Sequence, residues 1–570
     1  MEVLSPGGSL EAIEAAVGNG CNAVYLGVGS LNARVRAQNL APDQLAGVVD
    51  WLHSAGVRAY VTLNVPVRPE NLADTARLLA LAHRAGADAV IARDPLVMRA
   101  AVALFPGMEV HASTQHGVAT VAAARRAREM GCARVILARE LSAAAIGRIV
   151  REVPGVQVEV FVFGALCFAV SGMCLLGQAV GGRSGNYGGC SQPCRLPYVD
   201  REGRPLGYPF SMRDLDLVPR IADLAGLGVA SRKIEGRLKP PAWVGCVTRW
   251  VRRAVDRDPP GLDSAGLEAF HRDVRALFAR PLTSAWFDGR TGAEDLIAPD
   301  APGHRGLGIA DWRVDGIGSA RHVAFQAPVD LNVRDGLIAI VDGGDSRNGP
   351  APVPFPITDM VDDRGRPMMR VTAGRVVRVP LPVPGRLVGL AVHSSDAVRV
   401  EYEKAASRMP DRVRRGEVRP RFLAVDLAPD HLAATLAIGR FRHEASVPLA
   451  TEPARGDGLP PDLASRLFGD AECRADPAVY ANPSALKQAR RDLVAATEAA
   501  ARADLDIAAA SAEAWMRDHA DHLDPPDAEL LATGTAAVSR VTGVRPGEVF
   551  TEGGRRFEVV PGPGGTRVLT

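Results

Sequence analysis

The sequence predicts an α/β protein: a (β/α)8 TIM-like barrel followed by a C-terminal small β-barrel and an α+β accessory domain. Three observations carry this. Short apolar runs alternate with helix-like stretches until about residue 260, most of those stretches end on glycine, and the rhythm stops after Pro259. Strand–helix alternation implies a parallel sheet. Eight units in about 250 residues suit a closed barrel better than an open doubly wound sheet.

The strands are expected in order at "EVLSP" (2–6), "AVYLGV" (23–28), "RAYVTLNV" (58–65), "AVIAR" (89–93), "EVHASTQ" (109–115), "RVILARE" (134–140), "QVEVFVFGALC" (157–167) and "VASRKIEGR" (229–237). Helices are expected between them, among them 41–56, 70–86, 117–131 and 142–152. Several close on glycine, in "HSAG", "HRAG" and "EMG", the usual connection from helix to strand. The last barrel helix is "PAWVGCVTRWVRRAVDR" (241–257).

Downstream, Val-rich strands separated by Gly and Pro turns read as a small antiparallel β-barrel. Beyond it, "NPSALKQARRDLVAATEAAARADL" reads as a helix capped by Asn482 or Ser484. The expected domains are 1–260, the barrel carrying a cysteine cluster; 261–303, a helical linker; 304–415, a small β-rich domain; 416–508, an α+β accessory domain; and 509–570, a tail without an interpretable motif.

Composition narrows the function classes. The 570 residues carry a formal charge of +2, with basic residues that are almost all arginine, so a local basic groove fits within a near-neutral total. No apolar run approaches the ~18–20 residues that span a bilayer. The chain opens on strand-like sequence rather than a signal peptide. The expectation is a soluble cytoplasmic protein without membrane partners. In that reducing setting, clustered cysteines point to metal or redox chemistry before disulfides.

Barrel enzymes place their chemistry at the C-terminal ends of the strands. Those ends offer His111, Glu140 and Glu235 as candidates for proton transfer. Asn64, Gln115, Arg139, Lys233 and Arg237 are candidates for substrate binding, the cations through carboxylate or phosphate. The bland alternatives are a surface Arg139–Glu140 pair, a core His111, and internal salt bridges from Lys233, Glu235 and Arg237.

The loop after the seventh strand holds Cys167, Cys174, Cys190 and Cys194, half of the chain's eight cysteines, with intervening glycines that include Gly181, Gly182, Gly185, Gly188 and Gly189. Thiolates suit iron–sulfur clusters or zinc. The first pair is wider than in most structural zinc sites, and Pro197 stands where a radical-SAM triplet needs its next cysteine. Iron–sulfur, zinc and free thiols remain the alternatives on spacing. Cys21, Cys132, Cys246 and Cys473 read as small core residues. No HExxH or GxSxG motif occurs.

"EVFVFGALCFAVSGMCLLG" followed by "GGRSGNYGGCSQPCRLPY" resembles the hallmark of the collagenase-like peptidase family U-32. "LSPGGSLEAIEAAVGNGCNAVYLG", "NAR" (32–34), "VTLN", "HASTQ", "RVILARELS" and "KIEGR" resemble its other blocks, in the family's order over roughly residues 1–300. The loop ends in Gln-x-Cys-Arg, as in the RNA-modifying branch, and 209–217 lacks the cysteine of the ubiquinone-biosynthesis members. The resemblance implies an oxygen-independent hydroxylase of an RNA base, in rRNA or tRNA. It further implies a 4Fe-4S cluster on Cys167, Cys174, Cys190 and Cys194, prephenate as oxygen source, and room for an electron-donor partner. The rivals are a peptidase, a hydroxylase of a small aromatic metabolite, and a noncatalytic RNA-binding iron–sulfur protein.

Overall fold

In the computed structural model the eight strands close. The structure describes residues 1–520, apart from 201, 301–302, 318–319, 343–350, 418–419, 454–460 and 477, together with strands at 549–552, 555–562 and 565–569. The barrel strands are β1 (Glu2–Gly7), β2 (Ala23–Gly27), β3 (Arg58–Leu63), β4 (Ala89–Ala92), β5 (Glu109–Ala112), β6 (Arg134–Ile136), β7 (Gln157–Ala165) and β8 (Ser231–Ile234). Each pairs in parallel with the next, and β8 pairs with both β7 and β1. Alanine, valine, leucine and isoleucine dominate because both faces of a parallel sheet are covered.

Seven helices bridge consecutive strands: α1 (Leu10–Gly18), α2 (Leu45–Ser54), α3 (Leu72–Arg84), α4 (Pro95–Leu104), α5 (Val121–Glu129), α6 (Ala143–Glu152) and α8 (Ile221–Gly226). Of these, α8 closes the long β7–β8 connection, which also holds α7 (Leu176–Gly181), and α9 (Pro241–Asp256) follows β8. Ser9, Asp94, Thr120 and Ser142 cap α1, α4, α5 and α6 with their side chains, satisfying amides that otherwise lack partners.

The expected helical linker departs from its description. It holds α10 (Ser264–Leu277), but also a strand at Leu282–Thr283 beside Asp214–Asp216, itself antiparallel to the end of β7. Thus the linker extends the barrel sheet. The β-rich region forms two main antiparallel sheets, of four and five strands. A further four-stranded sheet, from Arg421–Leu427, His431–Ile438, Phe441–Pro448 and Glu472–Ala475, has its own core around Phe422, Leu432, Leu436 and Phe468.

One helix, Pro483–His519, joins this sheet to the barrel and runs past the expected boundary at 508. Asn482 is its cap, accepting a bond from the Ser484 amide at 2.8 Å. Leu486, Ala489 and Leu493 enter the accessory core, whereas Ala509, Ala512 and Met516 enter the barrel's. Of the expected tail, 521–548 lies outside the described residues.

Candidate active site

A buried ionic layer fills the lower barrel. Glu159 of β7 receives Lys233 Nζ at 2.9 Å and Arg134 Nη1 at 3.0 Å, and Arg134 also bonds Glu2. Burial alone raises a carboxyl pKa, yet Lys233 and Arg134 hold that of Glu159 at about 2. His111 belongs to this layer. Its Nε2 lies 2.9 Å from Glu109 Oε2, its ring stands edge-on to Tyr60, and burial keeps its pKa below the usual histidine value.

His111 is thus a fully buried member of this layer. The strand ends at Ala112, so His111 shares the inward, floor-directed face of Glu109 two residues earlier.

Above this layer lie two connected spaces. The inner one, about 40 Å³, is lined by Asn64, Gln115, Arg139, Lys233, Glu235 and Arg237, along with neighbours from other strands. The outer one, about 330 Å³, has Cys167, Cys190 and Cys194 in its wall. Arg34, Arg139 and Glu235 line both and form the partition between them. Arg34 Nη2 meets Glu235 Oε1 at 3.1 Å. Arg139 donates Nη1 to the Ala165 carbonyl at 2.9 Å, while its Nε is buried without a partner. Burial opposes the Arg139 charge, but Cys167 and Glu235 outweigh it and raise its pKa.

Arg237 occupies the inner space but is committed to the chain itself. It donates to Asn32 Oδ1 at 3.0 Å, to Thr62 Oγ1 at 3.3 Å and to Asn39. Burial lowers its pKa to about 10. Asn64 likewise accepts the Ala33 amide at 2.9 Å, bracing the loop that carries Arg34. Of the expected substrate cations, only Arg139 reaches the outer space.

Glu140 lines neither space. Its Oε1 accepts the Ser171 amide and its Oε2 the Ser171 hydroxyl, both at 2.7 Å, so it clamps the cysteine loop instead of facing either space. Arg93 holds the same loop from β4's end, donating to Gly172 O at 3.0 Å and Asn186 O at 3.3 Å. Asn186 Oδ1 then accepts the Cys174 amide at 3.1 Å. Glycine is required at two docking points. A side chain at Gly172 or Gly188, both at positive φ, would meet Gln115 O or Asn32 O at 2.4 Å.

Residues that sequence reasoning missed complete the outer wall: Arg36, Arg195, Lys239 and Arg280, with Phe278. Lys239 Nζ sits 3.0 Å from the Phe278 ring centre, and burial pulls its pKa from 10.5 to about 7. Arg34 was within reach, in the noted "NAR" block, but its loop has no periodicity that assigns a direction.

The thiols sense one another. Burial first, then Cys167 and Cys190, raise the Cys174 pKa against the Leu176 and Gly177 amides. Burial and the other three cysteines likewise push Cys194 to about 11 against Arg195. The donor set is all sulfur, with Arg139 and Arg195 beside it, a setting that favours thiolate once a metal takes the proton's place. Among the described residues, no three His, Cys, Asp or Glu side chains stand close enough to hold a single metal ion.

The fold and site define a (β/α)8 barrel protein whose cysteine-bearing loop walls a cationic cavity at the C-terminal face. Residues 8–296 match peptidase family U32, and the chain belongs to that family. It is 34% identical over 323 residues to the 23S rRNA 5-hydroxycytidine C2501 synthase of Escherichia coli (strain K12), covering 55% of this chain and 48% of that protein. The match thus spans about half of that relative. It is 33% identical to the tRNA hydroxylation protein P1 of Bacillus subtilis (strain 168), over 52% of this chain and 73% of that one. A protein named collagenase from Porphyromonas gingivalis (strain ATCC BAA-308 / W83) is 32% identical over 51% of this chain and 74% of its own.

Proposed function

We propose that the protein is an iron–sulfur-dependent, oxygen-independent hydroxylase of an RNA base, with prephenate as oxygen source. The observation that carries this reading is the outer cavity: cysteines on one wall, with Arg36, Arg139, Arg195 and Lys239 around it, Arg280 paired to Asp214, and Glu235 as the single lining carboxylate. Its 330 Å³ lies within the range of small-molecule sites. The inner space of 40 Å³ admits water but no ring.

Cys167, Cys174, Cys190 and Cys194 would hold a 4Fe-4S cluster, a group suited to an all-thiolate donor set. When bound, such a cluster supplies a redox or Lewis-acidic centre at the cavity wall. Arg139, with an uncommitted Nε, binds a carboxylate of the donor bidentately. Glu235 keeps Arg34 fixed and is the proton-transfer candidate that remains at the partition. Lys239, with a pKa near neutrality, pairs with phosphate or carboxylate when protonated. RNA as substrate draws on the two relatives named for rRNA and tRNA hydroxylation. The peptidase reading draws on the collagenase-named relative, but the outer lining contains no histidine or aspartate to activate a nucleophile.

Nucleoside mass spectrometry of rRNA and tRNA from a deletion strain tests this. A hydroxylated nucleoside should vanish and return with the wild-type gene, but not with Cys174→Ala. Unchanged nucleosides in both RNA pools overturn the proposal.

A further inference from the structure

We infer that the apolar rim of the cysteine loop is a stacking shelf for an unpaired base of single-stranded RNA, with Phe168 as its platform; this rests on the RNA reading above. Phe168 directly follows Cys167, and 47% of it is exposed. It is nevertheless propped in place. Its ring lies 4.9 Å from that of Phe210, which in turn stands edge-on to the buried Tyr198 ring at 4.9 Å and 84°. A braced ring with an open face offers stacking area with little ordering cost.

Phe168 is not alone. Val170, Met173, Leu196 and Leu238 are also exposed, although large apolar residues are usually buried. Four of these five side chains come from the cysteine loop or the residues just after it, and Leu238 lines the outer cavity. Exposed apolar side chains concentrated along one loop mark an interaction surface.

Charge selects the occupant. Beyond Arg34, the adjoining cavity is lined by Arg36, Arg139, Arg195 and Lys239, and by Arg280, which pairs with Asp214 at 3.1 Å; its one carboxylate, Glu235, is paired with Arg34. Aromatic platforms interleaved with cations are how single-stranded nucleic acid is held: bases stack while phosphates pair. A duplex has no unstacked base to offer. Phe168 directly follows Cys167, which lines the cavity, so the shelf stands one residue along the chain from the cavity wall.

Fluorescence anisotropy of the holoprotein tests the shelf, using a labelled mixed-sequence single-stranded oligoribonucleotide of about 12 nucleotides and the duplex of the same sequence. Wild type should prefer the single strand. Phe168→Ala should weaken single-strand binding roughly tenfold while leaving duplex binding unchanged, and Phe168→Trp should restore it. Equal single-strand binding by Phe168→Ala overturns the shelf, as does parallel loss on both probes or failure of tryptophan to rescue. If wild type binds neither probe, the RNA reading fails and the shelf with it. If wild type binds and Phe168→Ala matches it, the shelf alone is wrong.

Discussion

Glu140 and Lys239 show how position decides a residue's work. Glu140 spends both oxygens on Ser171, and hydrogen bonds to charged groups contribute about 1.5–3 kcal/mol each. Glu140→Ala should therefore loosen the loop, read as faster proteolysis between Cys167 and Cys190, whereas Glu140→Gln keeps an acceptor and most of the protection. Activity separates the two roles: the clamp keeps Glu140→Gln active, whereas a proton-transfer role would leave it inactive with its loop intact. Lys239 makes a pH prediction. Burial lowers its folded pKa from 10.5 to about 7. Between those values the unfolded chain binds more protons than the folded one, so this lysine's contribution makes stability rise with pH. At and below pH 7 the cost of burying the ammonium is fully present. Lys239→Met should be more stable than wild type there, on the order of 1–2 kcal/mol after allowing for solvent. The gap in urea midpoints should shrink toward pH 10.5. A gap that does not change with pH would show that the lysine stays charged.

Strand β7 carries two functions on alternate scales of height. Low in the barrel its Glu159 anchors the ionic layer; at its end it delivers Cys167. Replacing one partner of a buried pair leaves the other charge uncompensated, at a cost of about 3–5 kcal/mol. Glu159→Gln should lose about that much at pH 7, measured by urea unfolding. The depressed pKa of about 2 means this carboxylate's stabilisation is present above its unfolded value near 4.5. It is lost as pH falls toward 2, so wild type should weaken more steeply than the variant through that window. An equal slope in both would place the acid sensitivity elsewhere. This strand also shows what the sequence makes legible. Its apolar run and the position of the cysteines after it are readable because period and length survive in one dimension. The direction of His111 and the clamp made by Glu140 are not, because each depends on where a short strand stops. The partition residue Arg34 escapes for a related reason: it lies in an irregular loop that only the closed barrel brings opposite Glu235.

At the scale of the whole molecule, the helix Pro483–His519 decides whether barrel and accessory sheet behave as one body. It is apolar toward two different cores along its length, a division that a single periodicity reading merges. Arg77 and Arg84 of α3 pair with Asp506 and Asp504 of this helix, each at 2.7 Å, and fix its register on the barrel. Arg440, in the turn between two accessory strands, donates to the carbonyls of Ala87 and Gly107. Those carbonyls lie just before β4 and β5, at the end of the barrel opposite the cysteine loop. Accessory contacts thus fall on the face that serves stability rather than chemistry. Ala512 is fully buried between helix and barrel, so Ala512→Asp introduces an unpaired charge there, costing about 3 kcal/mol or more. Calorimetry should show the coupled unfolding of wild type split into two transitions, with the outer cavity's ligand binding retained. Ile507→Asp, on the same helix but 68% exposed, should change stability by no more than about 0.5 kcal/mol. If Ala512→Asp unfolds as cooperatively as wild type, the two bodies are not held together through this helix. If it abolishes binding at the cysteine face while the barrel transition persists, the accessory sheet acts on the site across the full height of the barrel.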